Sequence, residues 1–220
     1  MSARDLISRA LRPWLSLPGL HYFATRVLGG RIRSWSFDER YRSGRWSYAT
    51  NRASELVSVL ENHAANGRIL MLGCGTASIA GALDPARYES ILGIDISSVA
   101  IAKAREHAND RIRFEVGDML SCRPMHTYEV VLFSESLNYV RWWQRKGLLQ
   151  RLGRHLAPNG CFIVTISQPN RYARLLAMIR NNFAVLEDRP FQNSRRHLVI
   201  FRSRHSHGPD EVHGHPGETR

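Results

Sequence analysis

Lysine is nearly missing from this chain. Of its 31 basic residues only Lys103 and Lys146 are lysines, so almost the whole formal charge of +12 rests on arginine. The arginines are spread along the sequence and form no run, which favours a compositional origin over a nucleic-acid surface, and no stable nucleic-acid partner is expected. Cysteine is scarce as well. Cys74, Cys122 and Cys161 form an odd, scattered set without a CxxC pair, which argues against a disulfide framework and a zinc site and fits a reducing cytoplasm. No run of 18 apolar residues occurs, so a membrane-spanning helix is not expected, and the first residues lack the apolar stretch and small-residue cleavage site of a secretory leader. Two phosphate-binding signatures are absent too. The chain has neither a full Gly-x-Gly-x-x-Gly, since Ser78 stands at the third glycine position, nor a Gly-x-x-x-x-Gly-Lys-Ser/Thr loop.

What is present is organised around ILMLGCGTASIAGAL, Ile69 to Leu83. It reads as an apolar strand over Arg68–Leu72, a glycine turn at Gly73, Cys74 and Gly75, and a helix opened by Thr76. Glycines in such a turn let the backbone approach a ligand with no Cβ in the way. With 220 residues and 43% hydrophobic content, the chain can bury one sizeable core. Further apolar strands follow at Ile91–Ile94, Ile112–Val116, Glu129–Phe133 and Cys161–Ser167. Helices are expected at Val99–Ala108 and, with an arginine-rich exposed side, at Trp142–Leu156; Pro158-Asn159-Gly160 reads as a turn. This alternation predicts an α/β, Rossmann-like doubly wound sheet, mostly parallel and covered on both faces. Phe183–Leu186 and Leu198–Arg202 have no crossover helix between them and should close it as an antiparallel pair.

The flanks read differently. Leu6, Ile7, Ala10, Leu11, Trp14 and Leu15 recur at helical spacing, and Met1 to Ser36 holds six arginines and one acid. This amphipathic helix is expected to lie on the protein's own core or on a partner, with peripheral contact to a membrane as the second reading. Ser36 to Tyr48 is polar, aromatic and arginine-rich, a poor core element suited to a lid over a substrate, although packing of Tyr41, Trp46 and Tyr48 explains its aromatics nearly as well. Thr50 or Asn51 should cap a helix with Ala53, Leu56, Val57 and Leu60 on one face, ending at Gly67. The boundaries expected are therefore 1–50 for a helical or lid extension, 51–204 for the catalytic domain and 205–220 for a disordered, histidine-containing tail.

Acidic residues fall on successive strand ends. Asp95 follows Gly73 by 22 residues, the spacing at which a carboxylate meets ribose hydroxyls, while Asp118 ends the third strand and Glu135 follows the fourth. Together with the missing phosphate signatures, this points to an adenosine without phosphates. The motifs LGCGTA (Leu72–Ala77), GIDIS (Gly93–Ser97), EVGDML (Glu115–Leu120), YEVVLFSESLNYV (Tyr128–Val140) and LAPNGCFIVTI (Leu156–Ile166) resemble, in order and spacing, those of class I S-adenosylmethionine-dependent methyltransferases. The SESLNYV and FDERYRSGRW stretches are similar to a bacterial branch that includes nodulation-type N-methyltransferases and methyltransferases of surface-glycan assembly.

The resemblance implies S-adenosylmethionine as cofactor and a seventh strand completing the sheet. It places Gly73, Cys74 and Gly75 along the amino-acid part of the cofactor, Asp95 with Ile96 at the ribose, Asp118 with Met119 at the adenine, and Ser134 beside them. The expected chemistry is methyl transfer to an O or N nucleophile of a small-molecule or glycan acceptor. Glu135 is then the candidate base or amine-orienting group, with binding of the cofactor or capping of the next helix as an equal reading, and Tyr41, Arg45, Trp46, Asn138 and Tyr139 are candidate substrate contacts. Two positions depart from the family pattern: Met71 stands where an acid is usual, and Ala77 where a third glycine is usual. An RNA-modifying or RNA-binding protein, and a catalytically silent scaffold suggested by Met71, are the rival expectations.

Overall fold

The computed structural model describes residues 30–43, 54–191 and 195–204. The expected N-terminal helix over Leu6–Leu15, the Thr50 or Asn51 cap, Arg45, Trp46 and the 205–220 tail lie outside these residues. Among the described residues a seven-stranded sheet runs in the order β3-β2-β1-β4-β5-β7-β6. Its strands are β1 (Arg68–Leu72), β2 (Ser90–Asp95), β3 (Ile112–Val116), β4 (Tyr128–Ser134), β5 (Leu156–Ile166), β6 (Phe183–Pro190) and β7 (His197–Ser203). β1 to β5 pair in parallel, and β7 pairs antiparallel with both β5 and β6, as the strand patterns require.

The helices are α1 (Gly30–Arg42), α2 (Ser54–Ala64), α3 (Ser98–Ala104), α4 (Trp142–Gly153) and α5 (Ala173–Asn182). β1, β4 and β5 are buried on both faces while the edge strand β3 exposes Arg113, Glu115 and Val116, and the sheet separates two cores. Ile69, Met71, Ile91 and Ile163 point to one side and pack with Leu56 and Leu60 of α2 and Ile101 of α3. Leu70, Leu72, Val131 and Phe162 point to the other, against Leu148, Leu149 and Leu152 of α4 and Leu175 and Ile179 of α5.

Four expectations are corrected. No α-helix follows the glycine turn: after Thr76 there is only a single 3-10 turn, Ala80–Ala82, because Ala77 is left-handed (φ +56°) and Asp84-Pro85 leaves no length for a helix. The Ser36–Tyr48 stretch is not excluded from the core. Ser36, Phe37 and Asp38 are buried where α1 lies against α3. The Pro158-Asn159-Gly160 turn is absorbed inside β5 as an irregularity, Tyr128 pairing with Leu156 but Val130 with Cys161. The exposed arginine side of α4 excludes Arg145, which is 5% exposed. Helix α5 and the full reach of β6 had not been read from the sequence.

α1 is fastened by one carboxylate. Asp38 accepts hydrogen bonds from Ser97 Oγ (2.5 Å), Ser98 Oγ (3.3 Å) and the Val99 N–H (3.2 Å), while Ser97 Oγ in turn accepts the Ala100 N–H at 3.1 Å as the cap of α3. Removing a buried acceptor orphans its donors. Asp38→Ala should therefore lose about 1 to 3 kcal/mol of unfolding free energy in urea titration, whereas Glu39→Ala, on the same helix but half exposed, should change it little.

Candidate active site

The order of strands reverses between β1 and β4, and a cleft of about 510 Å³ opens there at the carboxyl ends of the strands. That is the place where a doubly wound sheet holds ligands, and the volume suits a nucleoside-sized molecule. Gly73, Asp95, Ile96, Asp118, Met119 and Ser134 line it on the β1 to β4 side, together with Glu135 and Tyr139, and α1 contributes Tyr41 as well as Phe37 and Arg40. Cys74 and Gly75 stand apart. Cys74 packs its side chain toward the core, where its Sγ faces Gly93, and burial pushes its thiol well up from the usual range. Gly75 is covered by Tyr41: a Cβ on it would lie 2.7 Å from the tyrosine oxygen.

The turn is held by acceptors, not by a helix start. The Gly73 and Cys74 N–H groups both donate to the Ile94 carbonyl, at 2.7 and 3.1 Å. Gly75 N–H donates to Asp95 Oδ2 and Ser97 N–H to Asp95 Oδ1, each at 2.9 Å. These two bonds use half of the carboxylate's roughly four lone-pair sites, so it can still take ribose hydroxyls. Burial raises the Asp95 carboxyl above the ordinary carboxylate range, and these backbone N–H groups partly offset the rise. The same burial, with Asp95 beside it, pushes the Tyr41 phenol upward, so Tyr41 is a neutral wall of the site.

At the end of β4 the backbone is strained. Glu135 is left-handed (φ +56°), an uncommon conformation for a residue with a Cβ and one that gathers at functional sites. Its Oε2 accepts the Ser167 N–H at 2.7 Å, while its Oε1 lies 3.8 Å from Arg196 Nε, too far for a hydrogen bond. The next residue, Ser136, donates to the Leu72 carbonyl at 2.5 Å, and its side chain closes over Gly73, where an added Cβ would stand 2.5 Å from Ser136 Cβ. Then a 3-10 turn, Leu137–Tyr139, lays Asn138 and Tyr139 into the cleft, with Tyr139 edge-on to Phe37 at 5.3 Å. Buried Arg145 fixes that turn from beneath, donating from Nε to the Val140 carbonyl (2.9 Å) and from Nη2 to the Asn138 carbonyl (3.0 Å).

Sequence reasoning missed the far wall. Ser167, Gln168, Arg171 and Tyr172, between β5 and α5, and Arg196, before β7, line the same cleft. Leu175, Leu176 and Ile179 at helical spacing could have signalled α5, and with it the approach of these residues. The expected carboxylate position gives the opposite lesson: Met71 is 2% exposed and belongs to the core.

The sheet order and antiparallel β7 define the fold of the class I S-adenosylmethionine-dependent methyltransferases. Residues 69–160 match the family model described as a methyltransferase domain. Trans-aconitate 2-methyltransferase of Methylobacterium nodulans is 35% identical over 103 residues, which are 46% of this chain and 38% of the relative, so the chain matches well under half of that relative's length. Among solved structures, the N-methyltransferase NodS of Bradyrhizobium japonicum in complex with S-adenosyl-L-homocysteine superposes with a TM-score of 0.59 at 17% identity, covering 73% of this chain and 92% of that one. The glycopeptide N-methyltransferase MtfA, also with S-adenosylhomocysteine, gives 0.58 at 17% identity, over 71% and 91% of the two chains.

Gly73 must be left-handed (φ +73°) and has Ser136 against it, so Gly73→Ala should cost about 1 to 3 kcal/mol of stability by denaturant titration. Gly147, within α4, has open space around its Cβ position, and Gly147→Ala should instead stabilise by about 0.4 to 1 kcal/mol.

Proposed function

We propose that this chain is an S-adenosylmethionine-dependent methyltransferase acting on an O or N nucleophile of a small-molecule or glycan acceptor. The observation that carries this reading is the convergence of Gly73, Asp95, Asp118 and Glu135, from four successive strand ends, on one cleft of the methyltransferase fold. The residues fit the cofactor. Asp95 has acceptor capacity left for the ribose hydroxyls, Asp118 and Met119 line the side of the cleft assigned to the adenine, and Gly73 lines it at the end of β1. The acceptor then enters between the Glu135–Tyr139 segment and the Gln168, Arg171 and Arg196 wall. Relatives and neighbours named for trans-aconitate and for glycopeptides support a small-molecule or glycan acceptor without selecting one.

Bound S-adenosylmethionine supplies a methyl group already activated on a sulfonium. What this chain contributes is alignment: Tyr41 and Phe37 exclude water from the Asp95 side, while Glu135 and Tyr139 orient the nucleophile. Glu135 is assigned as base or amine-orienting group, and Tyr41 and Tyr139, with Arg45 and Trp46 from the segment outside the described residues, as acceptor contacts. Among the described residues no helix is long and apolar enough to cross a membrane. Peripheral membrane contact by the basic N-terminal segment and a cytoplasmic location remain part of the proposal.

Calorimetry with S-adenosylhomocysteine tests the reading directly. Wild type should bind, and Asp95→Ala should weaken binding about 10 to 150-fold, the value of a hydrogen bond to a charged group; no binding at millimolar ligand would favour the silent scaffold. A pH series adds a second check. Because the folded Asp95 carboxyl is raised, affinity should fall as acidification protonates it, starting above the usual carboxylate value of about 4. Asp95→Asn should lack that step.

A further inference from the structure

Two oxygen atoms in the acceptor half of the cleft have no hydrogen-bond donor. Asn138 is 8% exposed, and its Oδ1 is shut away from water with nothing donating to it. Glu135 Oε1 is likewise buried and without a hydrogen bond, its sister Oε2 being committed to the Ser167 N–H. Both residues line the same cleft and stand three apart on the segment that leaves β4. Native proteins seldom leave buried acceptors unmatched, because each has given up its water. Here the mismatch is also held in place: Arg145 clamps the Asn138 turn, and the left-handed Glu135 turns that segment over Gly73.

Resting on the reading above, we infer that Glu135 Oε1 and Asn138 Oδ1 form a clamp for a primary amine, which makes the chain an N-methyltransferase and Asn138 a residue that positions the nucleophile. The count of donors selects the class. A primary amine offers two N–H groups to two orphaned oxygens, a hydroxyl offers one, and a carboxylate offers none. The Glu135 carboxylate adds attraction for an amine, although its Oε1 also lies 3.8 Å from Arg196 Nε and Arg40 and Arg171 line the same cleft, so it is the donor count and not the charge that selects the amine. With its N–H groups held by the clamp, the amine presents its lone pair to the methyl carbon. That pair forms the N–C bond while the C–S bond breaks and returns its electrons to sulfur, leaving a neutral thioether. The nitrogen is then a cation, and its surplus proton passes by way of the Glu135 carboxylate to water.

The test needs no acceptor. Sinefungin carries an amine in place of the S-methyl group of S-adenosylmethionine, so its nitrogen probes the transfer position, whereas S-adenosylhomocysteine leaves that position bare. The dissociation constants of both should be measured by calorimetry for wild type, Asn138→Leu and Asn138→Asp. The clamp predicts that Asn138→Leu lowers the preference for sinefungin about tenfold or more while S-adenosylhomocysteine affinity stays within about threefold. Asn138→Asp, of nearly the same size and holding two acceptor oxygens, should keep or raise that preference, and it serves if the leucine variant fails to fold. An unchanged preference in the variants would overturn the clamp while leaving the proposed function standing, and so would transfer of labelled methyl to trans-aconitate by the wild type. Failure of S-adenosylhomocysteine to bind wild type would instead overturn the proposed function itself.

Discussion

The Asp95 carboxylate is the constraint on which the site depends. One oxygen takes the Gly75 N–H and the other the Ser97 N–H, so a single buried anion ties the turn after β1 to the start of α3. Ser97 extends the linkage, because the hydroxyl that caps α3 also donates to Asp38 on α1. Turn, second strand, capping serine and overlying helix are thus held by one connected set of hydrogen bonds. The arrangement carries an internal cost. Asp95 is desolvated with Asp38 close by, and both effects raise its carboxyl, while the backbone N–H groups that point at it offset part of the rise. A ligand hydroxyl adds donors to a group that is short of them.

This linkage explains how a segment that reads as a lid from its composition comes to be partly core. Asp38 is buried against α3, yet Phe37, Arg40 and Tyr41, which share another face of the helix, line the cleft. In a helix those positions differ in direction, and the sequence alone does not say which direction is inward. The decision is made by Asp38, whose partners Ser97, Ser98 and Val99 lie about sixty residues away. Pattern reasoning sees only neighbours along the chain.

The same distinction sorts the rest. The first four strands were legible because each ends at a glycine or an acid, and Asp95, Asp118 and Glu135 were found since strand ends in this topology converge by construction. The helix expected after Thr76 does not form although ASIAGAL holds three alanines and a leucine. A left-handed Ala77, with its N–H bonded to the Cys74 carbonyl, takes the chain elsewhere. Ser167, Arg171 and Arg196 were missed for a different reason. They are ordinary polar residues whose placement depends on α5 and on β7 returning antiparallel beside β5.

Met71 was the strongest sequence argument against catalysis, and its position in the sheet changes what it means. Strand residues alternate, and Ile69 and Met71 point into the core beneath α2 while Leu70 and Leu72 point to the other side. Met71 also pairs with Gly93 on one side and Leu132 on the other, the middle of a parallel sheet. A carboxylate placed there would need dedicated partners to offset its desolvation, and the surrounding side chains, Leu56, Leu60 and Ile163 among them, supply none. Methionine is the residue this core can accept. On the proposed reading, polar contact with the methionine end of the cofactor falls to the rim above Gly73, where Ser134, Glu135 and Ser136 line the cleft. That rim is the end of β4, the same segment that holds the left-handed Glu135 and the two buried oxygens without a hydrogen-bond donor.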